Sequence, residues 1–496
     1  MAGPTTAERR DPGTVVTATL DSQPKTFGIF SMTLFAVSAI LVADTVATSA
    51  AIGVQGLTFW IALAILFFIP YGFVTAELGS AWPDEGGIYV WVREAFGPRW
   101  GTLTAFLYWI NVAYWAPSVF VLFAGTLSTV FWGSMSRTWE ELIVIILIWV
   151  MVGIGVLPLV LSKWVPNASA AAKMIVLLSL GAIGVAFAIR NGTANSFALS
   201  QWRPSWSGNY SFLPVIIYSY MGFELMSSAG SAVKNPHRDI PRMIVLAGAL
   251  ILAIYMFATF GILASLKVGD LSIVTGIADA MRLSFHNTLH GFDWLYDTLM
   301  VVLLFTFMGN MVTWSIGANH SMASPGVDRS APKVFGHVNR RFLTPDYAFV
   351  LMGVIATLVT ILNYALFATK EEVFWTIFAL SSIVFLFPYL LMFPALLVLR
   401  RKEPDRLRPY TVPWGRFGAW LWVVLCEIGI AFTIVLFFYA VPAGTPRLTY
   451  WAITGGGTAI SIIVGWFMYR PAHADVRSPL DRVADGDTVS QTTPEA

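Results

Sequence analysis

Asp44, Lys173 and Glu224 stand inside long apolar segments, where a titratable side chain is out of place unless it does something. Charge in hydrocarbon is costly, so an ionisable group there is a functional candidate by default. An acid can hold a cationic ligand or exchange a proton, and an amine can supply a fixed positive charge. Four further acids share the setting. Asp293 and Asp297 fall at the outer mouth of their segment, where a solvated face is expected. Glu77 lies near the inner end of its segment. Glu427 lies in a peripheral one, where a structural hydrogen bond is expected.

The segments that must position these groups are membrane spans. The 496 residues are 57% hydrophobic and 12% charged, with 20 Trp and 36 Phe. An ordinary soluble chain carries about 25% charge. Residues 45–76 and 100–136 contain no Asp, Glu, Lys or Arg, and about 20 apolar residues suffice to cross a bilayer as a helix. These runs are apolar on all faces, whereas the strands of a membrane barrel alternate apolar and polar. Twelve spans are expected, at 28–51, 57–80, 100–131, 140–161, 166–189, 210–232, 243–266, 293–320, 346–367, 373–399, 416–440 and 448–469. With the N-terminus inside, 22 of the 30 Lys and Arg fall on the inner side and seven on the outer, the remaining one being Lys173. Positive charge stays cytoplasmic, which predicts both ends inside a cell (inner) membrane. Residues 1–26 are read as a cytoplasmic tail without the apolar core of a signal peptide, 27–470 as the membrane domain, and 471–496 as a disordered cytoplasmic tail. The long outer loop at 267–292 has room for a surface helix. The single Cys426 excludes an internal disulfide and multi-cysteine metal sites. Of the six histidines, His286 and His290 have helical spacing, but in an outer loop a solvated face is the simpler reading. No metal, cofactor or nucleic-acid partner is expected.

Span 6 runs YSYMGFELMSSAGSAVKNPHRDIP over 218–241. Gly222 interrupts it beside Glu224, followed by Ser227, Ser228, Gly230 and Ser231. Small residues can mean close helix packing around one buried carboxyl. They can also mean a broken helix whose freed backbone lines a substrate cavity, as in secondary transporters. The acid beside the glycine favours the second reading. Lys173, about two turns into span 5, can likewise snorkel to the inner surface or hold a buried charge.

YMGFE followed by VKNPHRDIP resembles the sixth helix and following loop of the amino acid–polyamine–organocation (APC) transporter superfamily. ELGSAWPDEGGIYVWVREAFGPRWG, at 77–101, is similar to that superfamily's loop between helices 2 and 3. FIPYGFVTAELGSAWPDEGG, SYMGFE and TVPWGRFGAW are most similar to its glutamate/GABA antiporter branch.

The resemblance implies an all-α polytopic fold of twelve helices: two inverted five-helix repeats (1–5 and 6–10) plus two peripheral helices, with helices 1 and 6 broken near midplane. It implies that Ala43, Asp44, Thr45, Tyr218, Gly222, Phe223, Asn310 and Trp314 bind substrate. Tyr218 would cover the substrate, and Trp314 would line its path. Glu224 would be a gating or coupling carboxylate, and Lys173 would occupy the place of the sodium ion of sodium-coupled relatives. Two departures matter. Where many members unwind helix 1 at a Gly–x–Gly whose amides hold a carboxylate, this chain has Val42–Ala43–Asp44–Thr45. Asn310 stands where glutamate carriers are expected to have an acid. Both weigh against glutamate.

The expected activity is secondary transport of an amino acid or related amine by alternating access, by exchange or coupled to protons, within the lipid bilayer. The rival is a channel or transporter-like receptor. A channel needs a continuous polar pore, and too few spans carry polar stripes. An intramembrane enzyme needs a clustered nucleophile and base, which the sequence lacks.

Overall fold

The computed structural model describes residues 33, 37, 40–82, 87–157, 164–204, 210–224, 236–289, 291–327, 330–337, 339, 344–439, 441 and 444–471. Apart from Pro471, the two expected tails lie outside them, as do Ser227, Ser228, Gly230, Ser231 and His290.

Among the described residues the chain is helical, with no strand. Ten helices are long and apolar enough to cross a membrane. They are α2 (Gln55–Ala81), α4 (Pro98–Trp132), α5 (Arg137–Val156), α6 (Trp164–Asn191), α8 (Pro236–Ser265), α10 (Asp293–Val327), α11 (Asp346–Leu366), α12 (Lys370–Lys402), α13 (Gly415–Tyr439) and α14 (Arg447–Met468). They coincide with ten of the twelve expected spans. The other two, spans 1 and 6, are interrupted. Their helical remnants include α1 (Val46–Ala50) and α7 (Pro214–Ser219). Two shorter α-helices also stand among the described residues, α3 (Ile88–Phe96) and α9 (Gly276–Thr288). α9 lies in the loop at 267–292, but it is more than a surface helix. Its Ile277, Met281 and Phe285 are buried, and it packs on α6 and α8.

α4 is the central post. Nearly all of its residues from Gly101 to Thr126 are buried, and α10 and α12 pack along it. α12 begins with a capping box, in which Thr369 Oγ1 accepts from Glu372 N at 3.2 Å and Glu372 Oε2 accepts from Thr369 N at 3.1 Å. It ends on Arg400, Arg401 and Lys402, so acids sit at its positive end and bases at its negative end. α13 and α14 turn large apolar side chains outward, such as Ile428, Val435, Ile460 and Phe467, as helices facing lipid do. α6 and α8 cross backbone to backbone. A Cβ on Gly184 would lie 2.3 Å from Gly261 Cα, so only glycine fits this approach.

Candidate functional site

The two interrupted spans meet at the centre of the molecule, and each break is filled by a tyrosine from another helix. The first span is helical at Ile40, leaves helix over residues 41–45 and resumes in α1. Freed backbone groups in an apolar interior need partners. Tyr255 of α8 supplies one: its hydroxyl accepts from Val42 N at 2.9 Å and donates to Ile40 O at 3.2 Å. In the second, α7 ends at Ser219 and regular helix is lost through Met221 and Gly222. Gly222 has φ +123°, which a side chain would strain. Tyr71 of α2 accepts from Gly222 N at 3.1 Å and Phe223 N at 2.8 Å. Its own proton goes to Glu224 Oε2. Ser219 Oγ lies 2.8 Å from Thr45 Oγ1, which ties the two breaks together.

All three singled-out ionisable groups are buried at these breaks or beside them. Asp44 sits in the first, 3% exposed, and its Oδ2 accepts from Trp115 Nε1 at 3.1 Å. Glu224 follows the second, 3% exposed, and its Oε1 accepts from Tyr108 Oη at 3.0 Å. Tyr389 of α12 faces the same carboxylate without reaching hydrogen-bond geometry. Lys173 is 4% exposed and does not snorkel: its Nζ turns inward and donates to Asn310 Oδ1 at 2.9 Å. Asn310 Nδ2 is buried with no partner.

Tyr218 and Trp314 join an aromatic box with Tyr108, Trp115 and Phe385. Trp115 meets Tyr218 and Trp314 edge-on at 5.8 and 5.3 Å, while Phe385 meets Tyr218 and Trp314 at 5.6 and 5.8 Å. Tyr108 closes the ring against Trp314 at 6.2 Å. Ala43 and Phe223 are buried within the breaks.

The sequence did not single out Tyr71, Tyr108, Trp115, Tyr255 or Asn111. Asn111 is fully buried on α4, three residues after Tyr108 and four before Trp115, and neither atom of its amide has a partner. A lone Asn in an uncharged span was the available signal. Three other acids behave differently from Glu224. Asp293 and Asp297 are exposed, as a solvated mouth requires. Glu427 does not make the expected hydrogen bond, because its Oε1 is buried without a partner among the lipid-facing residues of α13. His286 is exposed on α9.

Among the described residues, ten membrane-length helices and two interrupted apolar segments that meet at a buried, charge-bearing centre define a multi-pass membrane protein. The chain belongs to the amino acid permease family, whose model matches residues 27–459. Among relatives, it is 33% identical to a probable agmatine/putrescine antiporter of Lactococcus lactis, over 85% of this chain and 90% of that one. It is 24% identical to a glutamate/gamma-aminobutyrate antiporter of the same organism, over 83% and 82%. A solved manganese transporter of Eremococcus coleocola, in a mutant form, shares the fold with TM-score 0.57 at 13% identity, covering 88% of this chain and 94% of that one.

Proposed function

We propose that this permease exchanges small organic cations, amines derived from amino acids, across the cell (inner) membrane by alternating access, with both termini cytoplasmic. One observation carries the reading. Two buried carboxylates, Asp44 and Glu224, sit at the two helix breaks, and their partners Trp115 and Tyr108 both belong to one aromatic box. Carboxylates and ring faces both attract an ammonium or guanidinium, more strongly when water is excluded. A substrate carboxylate would meet Asp44 in place of glycine amides. The name of the 33% identical relative, an agmatine/putrescine antiporter, agrees with a cationic cargo.

In this reading Ala43, Asp44, Thr45, Asn111, Tyr218, Gly222, Phe223, Asn310 and Trp314 surround the substrate, and Asn111 offers it an unused amide. Glu224 is the gating or coupling carboxylate, reached by protons through Tyr71 and Tyr108. Lys173 is the fixed charge that balances Asp44. The reading includes the inverted repeats. Tyr71 of the second expected span fills the break of the sixth, and Tyr255 of the seventh fills the break of the first. Such an exchange of partners is what a duplicated unit would produce.

The test is counterflow in proteoliposomes with putrescine, agmatine, neutral amino acids, γ-aminobutyrate and glutamate. Labelled amines should enter only when amine is loaded inside. Uptake that needs no internal partner would make the protein a symporter or channel, and a preference for glutamate would overturn the cationic reading.

A further inference from the structure

A basic cavity opens far from the aromatic box, where the last turn of α12, the connection after it and the start of α13 come together. It measures about 500 Å³ and is lined by Arg400, Arg401, Arg408 and Arg416, with Leu397 and Trp420 as apolar wall. Among the described residues only one carboxylate counters these four guanidiniums. Glu77, fully buried at the end of α2, accepts from Arg400 Nε at 2.7 Å and Nη2 at 2.5 Å, and from Val412 N at 2.7 Å. Arg408 Nε stands 3.7 Å from the same acid. The nearby Glu403 is taken by Arg406 at 2.8 Å. Arg401 and Arg416 are exposed and have no acidic partner among the described residues. Arg401 lies over the Trp420 ring, 5.7 Å from its centroid. The cavity therefore holds a surplus of positive charge.

Its surroundings fix the depth at which it sits. Trp414 and Phe417, at the start of α13, are 66% and 70% exposed. Exposed aromatic rings of this kind belong at the level of lipid headgroups. Basic pockets at that level on the positively charged side of a membrane protein suit phosphate-bearing lipids, since arginine binds phosphate oxygens in a bidentate way. We propose that this cavity binds the phosphate of an anionic phospholipid from the leaflet on the Arg-rich side, with Arg401 and Arg416 holding the phosphate and the exposed aromatics holding the acyl boundary. Arg400 then links the lipid to Glu77, and so to α2, the helix whose Tyr71 fills the second break. Occupancy of the cavity stiffens the end of the helix that supports the transport site.

The experiment uses the full chain in detergent and in vesicles, and it does not depend on which substrate is carried. Native mass spectrometry and thermal unfolding are followed while phosphatidylglycerol, phosphatidylcholine or inorganic phosphate is added. Phosphatidylglycerol alone should bind and raise the melting temperature. Arg401→Gln with Arg416→Gln should weaken its binding about fivefold per arginine, on the order of 25-fold in all, while leaving counterflow in pure phosphatidylcholine vesicles unchanged. Equal binding of phosphatidylglycerol by the double variant would overturn the site. Equal stabilisation by inorganic phosphate would overturn the lipid as its source.

Discussion

Tyr108 and Trp115 stand two turns apart on one face of α4, and each holds a different carboxylate: Tyr108 holds Glu224, and Trp115 holds Asp44. Seven residues of helix rise about 10 Å. The two carboxylates are thus held on separate anchors of one helix, and a diamine that meets both must match the gap between them. Competition for counterflow by linear diamines of increasing length should therefore show an optimum at one chain length. A flat dependence on length would mean that only one carboxylate meets the substrate.

Asp44→Asn removes the charge but keeps the acceptor for Trp115 Nε1. A hydrogen bond to a charged group is worth about 1.5–3 kcal/mol, so the preference for an amine over its deaminated analogue should fall on the order of 10- to 100-fold. Asn111→Leu should weaken binding without changing that preference. If Asp44→Asn keeps the parent preference in competition assays, Asp44 does not read the amine.

Glu224→Gln fixes the side chain in a form that resembles the protonated acid: one oxygen still accepts from a tyrosine, and the amide on the other side donates as a carboxylic O–H would. The pH dependence of transport should flatten, with expression and melting temperature near the parent's. An unaltered pH profile would reduce Glu224 to a structural hydrogen-bonding role.

Lys173→Ala should abolish counterflow, or hold the protein in one conformation, more than it lowers thermal stability. It leaves Asn310 Oδ1 without its donor as well as Asp44 without its counter-charge. A double-mutant cycle with Asn310→Ala, read by thermal unfolding, should give a coupling of about 1–3 kcal/mol. Additive single changes would show that the 2.9 Å contact carries no energy.

Tyr71→Phe orphans two buried amides and one carboxylate oxygen, while Tyr255→Phe orphans one amide and one carbonyl. Each unsatisfied buried group costs about 1–3 kcal/mol, so both variants should unfold earlier in thermal scans, Tyr71→Phe more so. Equal melting temperatures for the two would show that the breaks are held by something else.

The ionisable residues were legible because a charge in an apolar run has no bland surroundings to hide in. Asp44, Lys173 and Glu224 all lie at the centre for that reason, and the Gly222 break could be read from the glycine beside the acid. The tyrosines were not legible. Tyr71, Tyr108 and Tyr255 sit in spans already rich in aromatic rings, and only the fold shows which hydroxyl enters a helix break. Glu77 stands out in the sequence, but its partner Arg400 is 323 residues away, and no local pattern announces the pair. The ten long helices follow from uniform hydropathy. The interruption at residues 41–45 could not, since Val42–Ala43–Asp44–Thr45 has no helix breaker and the resemblance alone pointed there.

Where Gly184 meets Gly261, α6 and α8 touch with no side chains to interlock. Most helix pairs mesh like gears, and shifting one past the other forces side chains through unfavourable rotamers. Here the crossing point itself is smooth, but one turn away the Phe257 ring of α8 is seated where a side chain on Gly181 of α6 would be, and it pins the pair. α6 carries Lys173 and α8 carries Tyr255, so the buried amine and the plug of the first break are borne by one closely packed unit.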